Sequence, residues 1–287
     1  MTILDHKIDF AVVLSVTKAN PNGDPLNGNR PRQNYDGYGE ISDVAIKRKI
    51  RNRLQDMGES IFVQSNDRKT DVYNSLRERA DGNAELEKIM KSKNVPSEDF
   101  ARLACQEWID VRSFGQVFAF KSDKAGAGVS VGVRGPVSIH TATSLDRIDV
   151  TSTQITKSVN SEPGAARGSD TMGMKHRVDS GVYLFFGSIN TQLAEKTGFT
   201  NEDAARVKQA LISLFENDLS SARPEGSMEV HKVYWWEHSS KLGQYSSAKV
   251  HRSLLVEKRG EAPKEYSDYS FEVLPLEGLT VEIIDGR

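Results

Sequence analysis

The first 54 residues constrain the fold most, because a strand, a stretch unable to form regular structure and a strongly basic helix follow one another there. Ile8, Phe10, Val12, Leu14 and Val16 alternate with Asp9, Ala11, Val13, Ser15 and Thr17. That period of two predicts a β-strand with one fully apolar face and one mixed face. From Asn20 to Gly39, Pro, Gly and Asn occupy turn positions: Asn20-Pro-Asn-Gly-Asp-Pro25, then Asn27-Gly-Asn-Arg-Pro-Arg32. Ser42 reads as an N-cap, with Asp43 favourable in the first turn. The helix it starts carries Ile46, Ile50, Leu54 and Met57 as its apolar stripe, with Lys47, Arg48 and Arg51 on an adjoining face.

Charge makes this segment stand out. Arg30 to Arg53 contains seven Lys/Arg and three Asp/Glu, in a chain whose net charge is -2. A Gly/Asn-rich loop leading into a basic helix is suited to holding a polyanion backbone without reading bases. The basic face lacks acidic partners at i+4, which argues against a self-paired ladder of salt bridges. Backbone N–H groups around Asn22, Gly23 and Ser42 offer further phosphate contacts. A pI near 6.3 argues against nucleic acid on every side and leaves room for one basic groove beside faces committed to protein contacts.

The remaining pattern is mixed. Residues 58–109 read as helical and polar, with Ser97 as an N-cap followed by Phe100, Leu103, Ala104, Trp108 and Ile109 at helical spacing. From Asp110 onward the chain reads as short, Gly-punctuated β segments over 111–120 and 129–139. Thr151 to Val178 is long, polar and too poor in large apolar residues to form a core. Gly181–Ile189 is the most apolar strand, Asn201–Leu219 an amphipathic helix, and strands follow near 230–236, 253–256, 269–274 and 279–284. No internal repeat or Pro-rich linker divides the 287 residues. The expected class is α+β, with helices on one face of an antiparallel sheet. A single cysteine, no apolar signal core and no membrane-length run predict a cytoplasmic protein with no membrane partner.

Several chemistries are set aside. Gly128-Val-Ser-Val-Gly132 fits G-x-S-x-G, but Gly132, Gly135 and Pro136 forbid the helix a nucleophile elbow needs. The six histidines lack metal-ligand spacing, and no phosphate-binding or dinucleotide Gly-rich motif occurs, so no metal or cofactor is expected. Cys105 lies beside an apolar helical stripe and reads as an inert core thiol. Arg112-Ser-Phe114-Gly115-Gln-Val117 partly matches the RNA-stacking strand of RRM domains, although Phe114 equally suits a core aromatic.

Together, Asn20–Pro25, Asp43-Val with Lys47–Arg51, Asp110–Gly115, Gly135–Ser138 and Lys175–Gly181 resemble, in family order, the backbone subunit of the type I-C CRISPR Cascade complex, the "Cas-seven" family of the RAMP superfamily. The resemblance implies an RRM-like (ferredoxin-like) palm, a helical insertion over 58–109 and an extended β-hairpin thumb over 151–178. It implies a non-catalytic protein polymerising along CRISPR RNA, touching adjacent copies, the large subunit and the guide-processing subunit. The guide pairs with target DNA in an R-loop, so pairing supplies the sequence specificity. Carried over, Lys47, Arg48 and Arg51 clamp phosphates; Arg112, Phe114 and Gly115 line the same groove; Arg30 and Arg32 add contacts from the loop. Lys157, Arg167, Met172, Met174, Lys175 and His176 belong to the thumb. The alternative is a metal-dependent RNA-cleaving subunit using Asp24, Asp36 or Glu40 of the 20–40 loop; a free-standing RNA binder has less support.

Overall fold

The computed structural model describes residues 2–90, 96–120, 129–156 and 172–287. Its first strand, β1 (Ile8–Ala19), is the predicted one and sits near the middle of a large sheet. The loop beyond it holds a two-residue ladder, β2 (Gly23–Asp24) with β3 (Arg30–Pro31), and returns as β4 (Tyr38–Ile41). Helix α1 (Asp43–Asp56) starts as expected: Ser42 Oγ accepts from the Ala45 amide at 3.3 Å. Its Ile46, Ile50 and Leu54 are buried.

A lobe follows, built from α2 (Leu76–Asp81), α3 (Ala84–Met90), α4 (Ser97–Glu107), α5 (Ile109–Phe114) and the hairpin β5 (Gly115–Phe120) with β6 (Val129–Arg134). Its own core joins Phe62, Leu86, Phe100, Trp108, Phe118 and Val131. This core reaches past residue 109 into the hairpin. The N-cap of α4 is Pro96, not Ser97, and Ser97 is the first helical residue. Ser130 lies within β6, with no helix after it. Cys105 is buried, and burial pushes its thiol up to about 11, so it is inert near neutral pH.

The chain returns to the sheet through β7 (Val137–Ile139), β8 (Ala142–Arg147), β9 (Val150–Thr156) and the 18-residue β10 (Met172–Ile189). Helices α6 (Thr191–Thr197) and α7 (Asn201–Ile212) precede β11 (Met228–Glu237). Then come α8 (Ser247–His251), the ribbon β12 (Leu254–Lys258) with β13 (Tyr269–Val273), and β14 (Val281–Asp285). The main sheet runs β14-β11-β1-β10-β8-β4, and β7 and β9 also pair with β10. The pairings of β1, β10 and β11 are antiparallel throughout. The molecule is mixed α and β around a large antiparallel sheet.

Both faces of that sheet are covered. Phe10, Val12, Leu14 and Val16 pack with Ile50, Leu54, Val207 and Leu211 of α1 and α7. Ala11 and Val13 pack with Tyr234, Trp236, Val250, Leu254 and Tyr269, under α8 and the ribbon. The expectation of helices on one face is refined: the "mixed" face of β1 carries apolar Ala11 and Val13, and it is covered by the five-residue α8 and the ribbon. Asp9 on this face is fully buried, accepting from His238 Nε2 at 2.9 Å and pairing with Lys7 Nζ at 3.0 Å. Burial opposes its charge, but hydrogen bonds from His238, Ser247 and Lys7 prevail and hold it below the usual carboxylate range.

Two elements differ further from expectation. Residues 111–114 are helical rather than extended. Asp110, fully buried, accepts from the amides of Phe62 at 2.7 Å and Val63 at 3.1 Å and from Arg51 Nε at 3.0 Å. Those tertiary bonds outweigh the strand propensity of Val111. Gly115 ends α5 at φ +79°, where a Cβ would lie 2.3 Å from the Val133 carbonyl oxygen. Helix α7 stops at Ile212, seven residues short of the predicted Leu219, and turns follow.

Asp110→Ala should lower unfolding free energy by about 3 kcal/mol, since it strips a part-buried guanidinium, the buried Phe62 amide and the part-buried Val63 amide of their acceptor; urea denaturation checks this. Acid should also weaken the fold. The folded pKa of His251 is lowered by burial against the opposing pull of Asp9. The unfolded chain therefore binds the proton first, and stability falls as pH drops below about 6.5. Asp9, with its lowered folded pKa, contributes above about 3.9 and loses that contribution as pH falls below it. Urea midpoints should decline between pH 7 and 5, and His251→Phe should flatten part of that slope.

Candidate nucleic-acid interface

The 20–41 loop is a built object. Asn22 Oδ1 accepts from the Ser42 amide at 2.9 Å and its carbonyl from the Arg32 amide at 3.1 Å, pinning the loop to the start of α1. A Cβ at Gly23 would fall 1.9 Å from Asn29 Oδ1, so any larger residue there must displace the Asn29 side chain. Asp24 caps the following turn, accepting from the Leu26 amide at 3.2 Å, with Arg32 at 3.5 Å. Thus Asn22, Gly23 and Ser42 shape the loop, and the Ser42 and Ala45 amides are already engaged.

The basic helix has partners that its sequence did not reveal. Lys47 pairs with Asp43 at 2.9 Å, one turn back, which corrects the expectation of an unpaired face. Arg48 donates to the Val63 carbonyl at 2.6 Å; burial, then the neighbouring Arg51, lowers its pKa. Arg51 engages Asp110, and its guanidinium lies 5.0 Å from the centre of the Phe114 ring. Lys49, nearly buried, is paired with Asp218; burial pulls its ammonium down to about 8. Arg112 grips Asp203 through two bonds of 2.7 and 3.0 Å. Arg51 and Arg112 are therefore struts between elements. Phe114 is the last residue of a helix and packs on the main core, not a ring on an open strand face.

Free cations gather elsewhere. At the root of the β9–β10 hairpin, seven register pairs run from Met172↔Thr156 to Val178↔Val150. Directly opposed residues share a face. Met172, Met174 and His176 therefore lie with Thr156, Gln154 and Ser152 on one face. Lys175 and Arg177 lie with Thr153 and Thr151 on the other, where Ile155 covers Gly173. Met172 and Met174 are more than half exposed. Arg30 reaches from the loop to donate to Ser152 Oγ at 3.0 Å, and Ser152 Oγ meets His176 Nδ1 at 2.8 Å. Loop and hairpin thus form one surface. Lys157 and Arg167 lie outside the described residues.

Lys18 escaped the sequence reading. It adopts φ +51° and falls between the pairs Thr17↔Ser180 and Ala19↔Val178, leaving Lys18 exposed at the head of the loop. A left-handed lysine inside a strand is a local kink that re-aims a side chain. The only sequence signal is the polar pair Thr17-Lys18 at the end of an apolar alternation. Among the described residues, Lys18, Arg30 and Lys175 have no carboxylate within ion-pair distance, unlike Lys47, Lys49 and Arg51 of α1.

A family model for "CRISPR-associated protein Cas7" matches residues 6–274. A protein of Haloferax volcanii named "CRISPR-associated protein Cas7" is 26% identical over 234 residues, covering 77% of this chain and 67% of that one. Among solved structures, a chain of a "CRISPR RNA-guided surveillance complex, pre-nicking" aligns with TM-score 0.48 and 14% identity over 80% of this chain and 78% of its own. A chain of another CRISPR RNA-guided surveillance complex aligns with TM-score 0.45 and 16% identity over 80% and 68%. With nearly its whole length matched by the family model, the chain belongs to the CRISPR-associated protein Cas7 family.

Proposed function

We propose that the chain is a non-catalytic backbone subunit of a CRISPR surveillance complex that holds the guide RNA by its phosphates and works in the cytoplasm. The observation that carries this is the two-faced hairpin root joined to the loop through Arg30, Ser152 and His176. One face offers Lys175 for phosphate, and the other combines Arg30, bonded to Ser152 beside His176, with flexible methionines that suit the faces of bases. Successive copies lie along one guide, and the guide pairs with target DNA in an R-loop. The type I-C assignment rests on the motifs from Asn20–Pro25 to Lys175–Gly181. The large subunit and the guide-processing subunit complete the partner set.

An RRM-like palm is supported by the strand order β11-β1-β10-β8, with α1 and α7 packed on one face. The lobe around Phe62 and Phe118 takes the place of the helical insertion, and the β9–β10 hairpin that of the thumb. Within the interface, Lys18, Arg30, Lys47 and Lys175 make the phosphate contacts, with Arg32 beside them. Arg48, Arg51 and Arg112 hold the wall behind them. The cleaving alternative is weakened by Asp24, whose carboxylate is engaged with the Leu26 amide and Arg32.

Replacing Lys18, Arg30 and Lys175 together by Ala should weaken single-stranded RNA binding equally for unrelated sequences. It should also reduce the slope of log affinity against log salt by about 2. RNA affinity that stays unchanged across a salt series would remove this surface from the interface. Asp24→Ala and Asp36→Ala should leave RNA as intact as it is with the wild type, with or without divalent metal. Metal-dependent cleavage by wild type that either substitution abolishes would establish the enzymatic reading instead.

A further inference from the structure

Tyr35 is fully exposed, yet the turn that carries it is among the most tightly bonded in the loop. The Asn34 amide donates to the Tyr38 carbonyl at 2.8 Å, and the Gly37 amide donates to the Asn34 carbonyl at 3.1 Å. Asn34 Oδ1 accepts from the amides of Asp36 and Tyr38, both at 3.0 Å. Gly37 sits at φ +87°, a value that side-chain-bearing residues rarely adopt. The turn is then strapped to the root of the hairpin. The Ile148 amide donates to the Gly37 carbonyl at 3.1 Å, and Gln33 Nε2 donates to the Ile148 carbonyl at 3.0 Å. Tyr38 pairs with Arg147 across the ladder.

The ring therefore adds nothing to the core but is held in a fixed frame beside β9. A tyrosine offers a large flat surface at the cost of only two side-chain torsions. Its chain neighbours Asn34, Asp36 and Gly37 are polar or lack a side chain, so they add no apolar area beside the ring. The loop itself holds Arg30 and Arg32 against Asp24, Asp36 and Glu40, so the cation that matters is Arg147 behind the turn, whose side-chain stem would lie 3.8 Å from a Cβ built on Gly37. Among the described residues the Arg147 guanidinium has no carboxylate within ion-pair distance. An exposed aromatic face on a rigid turn backed by one unpaired guanidinium matches a nucleobase with its attached phosphate.

We infer that Tyr35 is a base-stacking platform for single-stranded nucleic acid, with Arg147 at the phosphate of the stacked nucleotide. This rests on the reading of the chain as an RNA-binding subunit. The test uses the full chain and single-stranded RNAs carrying 2-aminopurine at successive positions. With wild type, fluorescence should be quenched at particular positions. Tyr35→Ala should abolish that quenching, weaken affinity by about tenfold and leave the melting temperature unchanged, whereas Tyr35→Trp should restore quenching and affinity. If wild type and Tyr35→Ala bind RNA alike with equal quenching, the platform is wrong while the RNA-binding reading stands. If Tyr35→Ala leaves RNA binding intact but impairs association between copies, the ring is a protein contact and the inference is overturned. Failure of wild type to bind any of the RNAs overturns both.

Discussion

A single buried carboxylate joins the two halves of this molecule. Asp110 accepts hydrogen bonds from two amides at the entrance of the lobe and from Arg51 on the helix packed against the main sheet. The energetic logic of such a group is asymmetric. Its net contribution while paired is modest, whereas its partners become costly once it is removed. The helical turn at 109–114 and the orientation of Arg51 over Phe114 are consistent with satisfying this group. Arg112 with Asp203 repeats the device on the other side of the same short helix, tying it to α7.

These buried pairs explain why part of the molecule was legible from sequence and part was not. The alternation over Ile8–Val16, the Ser42 cap and the stripe Ile46-Ile50-Leu54 are local signals, and each led to the observed element. The hairpin was legible as a long polar stretch unsuited to a core, although its two-faced character needed the register of β9 against β10. Most of these charges were misread because their partners are distant in sequence: Asp110 lies 59 residues from Arg51 of α1, and Asp203 lies 91 from Arg112 of α5, whereas Lys47 pairs with Asp43 within one turn. Composition over a window reveals excess positive charge but not its destination. The same limit turned residues 111–114 into an expected strand, since glycine punctuation and Val111 speak for β while the bonds that decide the matter are tertiary.

The chain spends many of its cations internally. Lys49, Arg51 and Arg112 are inside or nearly so, each against a carboxylate. A basic segment in a near-neutral protein therefore divides into two populations, one cementing the scaffold and one facing outward at the loop and the hairpin root. Only the second responds strongly to ionic strength, because buried pairs are poorly screened.

Strand β10 belongs at once to the hairpin and to the centre of the sheet, without a break between Met172 and Ile189. Its outer part pairs with β9, and from Val178 onward it pairs with β1. Mechanically this is a cantilever: the arm projects beyond its support but is clamped over most of a dozen residues in the stiffest region of the protein. A load on the arm has no hinge in which to dissipate and is borne by the ladder beside β1. Over the described residues, a displacement at Thr156 or Met172 is therefore referred back to the core of the protein.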